Sequence, residues 1–218
     1  LLLIRPAWMG ELGGAFKSKE VPREYLELKN FIASQPEFFR TFWVPNKQRF
    51  TFYSDNHPAI DGVEFLKVAS ASGAINQLKE KDAQLQLSLS GVKYVILPDD
   101  TEGEIFLKDR QYDDQQRQAM EKGLAKISWL KKITFSSLDS QIKTVVYEMP
   151  RFNDRFWLES NSISENIKVE WQMINPTKYE VKINDLKTPS TLIFSENFDP
   201  RWEMKINNKV ISSEKVYG

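Results

Sequence analysis

The sequence predicts an α+β protein in two parts: a small mixed α/β subdomain over residues 1–150, then an antiparallel β-sandwich-like subdomain over residues 151–218. Three observations predict it. Helical periodicity alternates with short apolar runs as far as Pro150. The run VKYVIL is apolar at Val92, Tyr94, Val95, Ile96 and Leu97, as a strand covered on both faces requires. Beyond Pro150 the helical signal vanishes, and alternating runs recur at intervals of about ten residues with turn residues between them.

Each element has its own local cause. Pro22 suits a first helical turn, and Tyr25, Leu28, Phe31 and Ile32 share a helical face, so residues 23–34 read as a helix. FFRTFWVP, Phe38 to Pro45, is aromatic and β-branched and stops at a proline, which predicts a strand. Residues 46–62 hold Asn46, Asp55, Asn56, Pro58, Asp61 and Gly62, the makings of an irregular connection around one short aromatic strand, RFTFY. From Val63 to Ser90 the spacing is helical and ends on Gly91. VKYVIL then reads as the central strand, with Tyr94 as a structural residue in it. Helical character returns over residues 110–131, and KKITFSS and QIKTVVYEM follow as a hairpin or as sequential strands. The runs RFWLES, IKVEWQMI, KYEVKIND, STLIFSEN, WEMKINN and KVISS supply the β subdomain.

Composition excludes several functions. The 30 basic and 30 acidic side chains cancel without a long block of one sign, which argues against a nucleic-acid partner. The chain has no cysteine, so thiolate chemistry, thiolate metal sites and disulfides are absent. A single histidine, His57, excludes two-histidine metal sites, and its DNHP context reads as a loop residue, which sets His-dependent triads aside. No run approaches the roughly 20 apolar residues of a membrane helix. The opening LLLIRPAWMG nevertheless orders four apolar residues before Arg5 and Trp8, which suits the end of a membrane helix at the interface and equally an ordinary buried strand. The signal-peptide pattern is absent from it.

Few side chains offer chemistry. Asp99 and Asp100 follow the central strand, where α/β sheets bind ligands, and Asp113 with Asp114 could lie nearby. A glycosidase would need two such carboxylates about 5–10 Å apart, while solvated loop acids and helix caps are the plain alternative. An oxygen-lined calcium loop in DNHPAID or PDDTEGE would use Asp99, Asp100, Glu102 and Glu104, but neither segment has EF-hand spacing. Gly10, Gly13 and Gly14 lack the GK[ST] that makes a phosphate loop. Cofactors are expected to be none. Of the six tryptophans, Trp157, Trp171 and Trp202 sit in alternating patterns that imply packing. Trp8 and Trp43 lie nearest to loops and are the candidates for stacking on a sugar, joined by Asp99 and Asp100 as ligand-binding candidates.

The stretch FSENFDPRWEMKINN sets Trp202 between two alternating runs. Asn197, Asp199 and Pro200 provide the side-chain bonds and fixed dihedral of a tight connection. Trp202 is therefore expected to be internal, within a hairpin centred on its ring.

YEVKIND followed by LIFSENFDPRWEMKINNK, with PREYLELKNFI, FFRTFWVP and LSLSGVKYVILPDD upstream, resembles the extracytoplasmic C-terminal region of multi-spanning bacterial membrane proteins of the YfhO type, which are similar to glycosyltransferases of the C superfamily. The similarity covers residues 5–218 and rests on its motifs together. Residues 192–202 resemble the family's "LVLSENYYPGW", and Lys205 to Lys209 its following turn, with Asn208 where a glycine is usual. The family adds strands after the position of KVYG. The resemblance implies a membrane-tethered domain on the periplasmic or extracellular face of the bacterial membrane, without the catalytic acid, which lies on a loop between membrane helices. Its implied role is glycan recognition or scaffolding, and its implied partners are the membrane-embedded part of the same polypeptide and a glycan. The alternatives are a stand-alone carbohydrate-binding module and a carboxylate-dependent glycoside hydrolase.

Overall fold

The computed structural model describes residues 21–48, 50–99, 114–136, 143–159 and 169–217. The chain divides into two compact units, residues 1–152 and 153–218. Trp8, Gly10, Gly13, Gly14, Asp100, Glu102, Glu104 and Asp113 lie outside the described residues. No helix among the described residues is long and apolar enough to cross a membrane.

The first unit is a five-stranded mixed sheet with helices on both faces. In chain order its elements are α1 (Arg23–Ala33), β1 (Arg40–Trp43), β2 (Ala59–Asp61), α2 (Gly62–Leu66), α3 (Ala71–Leu78), α4 (Ala83–Leu89), β3 (Val92–Leu97), α5 (Asp114–Leu124), β4 (Lys131–Ile133) and β5 (Val145–Glu148). The strand order is β2-β1-β3-β5-β4. β1 runs parallel to β2 and β3, while β5 is antiparallel to both β3 and β4. β3 is thus central, and KKITFSS with QIKTVVYEM forms an antiparallel pair.

The pleat sends alternate residues into two cores. Phe42, Val95, Leu97, Val145 and Tyr147 meet Ile75, Leu78, Leu87, Met120 and Leu124 of the helices on one face. Trp43, Tyr94, Ile96 and Val146 meet Tyr25, Leu28 and Ile32 of α1 on the other. Glu24 in the first turn of α1 accepts from the backbone N–H groups of Lys143 and Thr144, both at 3.1 Å, which pins that helix to the start of β5.

Two expectations in this unit change. The helical stretch from Val63 to Ser90 is three helices: Lys67 adopts a left-handed conformation that stops α2, and the Ser70 side chain accepts from Gly73 N–H to start α3. The last of them ends before Gly91, whose φ of 70° suits glycine after a helix. Residues 50–53 of RFTFY form no strand. Phe50 and Phe52 pack against the α1 core from an irregular segment, and the strand of this region is Ala59–Asp61, which pairs with β1.

The second unit consists of β6 (Phe156–Glu159), β7 (Val169–Asn175), β8 (Lys178–Ile183), β9 (Thr191–Phe194), β10 (Glu203–Ile206) and β11 (Lys209–Ser212). They form three two-stranded antiparallel ribbons, β6-β9, β7-β8 and β10-β11. The first two are joined by their aromatic faces. Phe156 and Phe194 are stacked with centroids 4.5 Å apart, and Tyr179 meets both edge-on at 5.4 and 5.2 Å. The runs either side of Trp202 therefore belong to different ribbons: β9 pairs with β6, and β10 with β11.

Candidate functional site

At the carboxyl end of the parallel strands, Asp61 closes β2 and Asp99 follows β3. Asp61 is consumed locally: it accepts from Glu64 N–H at 3.1 Å, from Lys47 N–H at 3.0 Å and from the Asn46 amide at 3.2 Å. It caps α2 and ties down the connection after β1. Asp99 instead faces cations from two other elements. Its Oδ1 lies 3.8 Å from Arg117 Nε on α5 and 3.5 Å from Lys143 Nζ before β5. Arg117 also reaches Glu121 one helical turn later at 3.5 Å, and Glu121 accepts from Lys132 of β4 at 2.9 Å.

Burial shapes this cluster. The Arg117 side chain is 8% exposed, and among the described residues neither its Nε nor Asp99 Oδ1 has a hydrogen-bond partner at ordinary distance. Tyr147 donates to the Glu121 carbonyl at 3.5 Å, and burial, reinforced by the Glu121 charge and opposed by Arg117, pushes its phenol up to about 12. The charges fix α5 to the sheet. Asp114 begins that helix. Among the described residues, no group of His, Asp or Glu side chains could hold a metal ion.

The other end of β3 holds a second cluster. A bulge between Arg40 and Thr41 leaves Lys93 without a partner on β1. Its ammonium lies 5.0, 5.1 and 5.6 Å from the ring centres of Phe39, Tyr94 and Phe152, and donates to Glu37 and Gln35. Burial alone would lower the Lys93 pKa; the hydrogen bonds and charges of Glu37 and Tyr94 outweigh it and raise the net value. The Lys93 hydrogen bond in turn holds Glu37 below the usual carboxylate range. Tyr94, 4% exposed, donates to Gln35 at 3.0 Å.

His57 completes that wall. It is 4% exposed, packs on Phe39 at 4.3 Å, and sits with Nε2 3.1 Å from the Glu37 carbonyl and Nδ1 3.4 Å from Ser54 Oγ. Nε2–H donating to the carbonyl and Nδ1 accepting from the hydroxyl is the neutral tautomer that satisfies both partners. Burial pushes its pKa down, against the opposing pull of the Glu37 carbonyl.

Trp43 corrects the sequence expectation. It is fully buried in the α1 core, with its ring N–H donating to Thr41 Oγ1 at 2.9 Å. Proximity to Pro45 suggested a loop, but the pleat turns the indole under α1. It cannot stack on a sugar without unfolding that core.

In the second unit the polar centre is Arg155, 4% exposed. It donates to Tyr179 Oη at 2.6 Å, lies 3.5 Å from Glu196, and sits over the rings of Trp171 and Tyr179 at 5.2 and 5.3 Å. Trp171 donates its ring N–H to Asp154 at 3.0 Å. Trp202 is half-buried and meets Phe194 edge-on at 4.9 Å, and no hairpin is centred on it, because its flanking strands pair elsewhere. The turn before it is built by Asp199, which accepts from the backbone and guanidinium of Arg201; Arg201 holds the carboxyl at about 2. Asn197 and Pro200 are exposed positions of the same turn, and Asn197 makes no side-chain bond with another described residue.

Exposed apolar side chains gather in β10 and β11. Met204, Ile206, Val210 and Ile211 are 36, 48, 58 and 46% exposed. No family model, curated protein or solved structure matches the chain.

Arg117, Lys93 and Arg155 were missed in the sequence because each stands alone in its segment. Most of their partners are distant in sequence: Asp99 for Arg117, Glu37 for Lys93, and Tyr179 and Glu196 for Arg155, with Glu121 on the same helix as Arg117 the exception. The one legible hint was a charged residue inside or beside an otherwise apolar run, such as Lys93 in VKYVIL.

Proposed function

We propose that this chain is a non-catalytic domain of a membrane-tethered, glycosyltransferase-like bacterial protein, held at the extracytoplasmic face and acting as a scaffold or recognition element beside the membrane-embedded part of the same polypeptide. The YfhO-type resemblance of the segments quoted above supports the family. The observation that carries the role is the distribution of apolar surface. Trp43, Tyr94, Phe156, Phe194 and Trp202 pack inward in their units, whereas β10 and β11 present apolar side chains to solvent. One apolar face on a two-stranded ribbon calls for a covering layer, which the strands that the family adds after KVYG would supply within the same polypeptide.

Glycan recognition remains part of this proposal only as an interaction of the assembled protein. The pairing of Asp99 with Arg117 and Lys143 favours a structural charge cluster over a hydrolytic pair. The coding sequence upstream of Leu1 tests the reading. Several apolar segments of about 20 residues there support it; a start codon directly before Leu1 overturns it. Calorimetric binding of glycans by this chain alone would favour a carbohydrate-binding module instead.

A further inference from the structure

No further inference is drawn: the strongest candidate, the Asp99–Arg117–Lys143 cluster beyond the carboxyl end of β3, belongs to the site already described, and with Arg117 Nε and Asp99 Oδ1 closed off from solvent nothing in the structure shows what it would hold.

Discussion

Replacing Trp43 by Phe and Thr41 by Val, singly and together, separates an internal indole from a ligand-binding one. Both residues are 0% exposed, and the Trp43 ring N–H donates to Thr41 Oγ1 at 2.9 Å. Thr41→Val keeps the shape and strands a buried donor, which costs about 1–3 kcal/mol. Trp43→Phe strands the hydroxyl and leaves a void beside Tyr94 and Ile96, for a total of about 2–4 kcal/mol. The double variant loses donor and acceptor together, so only the void remains, and the two changes should couple by about 1–2 kcal/mol in the favourable direction. In a chain of this length that coupling equals about 2–8 °C in the melting temperature. Urea denaturation followed by circular dichroism measures the cycle. Strict additivity, or a Trp43→Phe change below about 0.5 kcal/mol, would refute the reasoning, because surface substitutions behave that way.

Three further outcomes follow from other residues. A Cβ at Gly62 would lie 2.6 Å from the Trp43 carbonyl oxygen and 3.0 Å from that of Pro45, backbone that cannot retreat. Gly62→Ala should therefore destabilise by about 1–3 kcal/mol, and more than Gly123→Ala, where the contact at 2.6 Å is with the Ile75 side chain; thermal melts compare the two. His57 has a folded pKa below its usual 6.5, so the unfolded chain binds the proton more readily and stability should fall as pH drops below about 6.5. His57→Gln should flatten that part of the urea-midpoint profile, leaving the loss at lower pH that accompanies protonation of Glu37. Tyr147 is raised to about 12 from 10.0, so stability should decline as pH climbs above 10, and the last phenol in an ultraviolet titration should vanish in Tyr147→Phe.

The sequence disclosed local periodicity better than partnership. VKYVIL was legible as the central strand because it is covered on both faces, and Gly91 as a helix end because only a left-handed residue fits after α4. The breaks at Lys67 and Ser70 were hidden because the apolar spacing continues across them. Ala59–Asp61 carries no alternation in three residues and is a strand only by pairing with β1. Alternation also says nothing about which strand pairs with which: β9 joins β6 across residues distant in sequence, a choice made by the Phe156–Phe194 stack. For the same reason Asp99 was visible as a carboxylate after a strand, while its cations on α5 and before β5 were not.

The most direct measurement is fractionation of bacteria that express the full reading frame with an epitope tag at its C-terminus. Recovery with the membranes, release only by detergent, and loss of the tag when protease is added outside intact spheroplasts is the predicted result. Recovery in the soluble fraction, or a tag protected from external protease, would contradict a membrane-tethered extracytoplasmic domain.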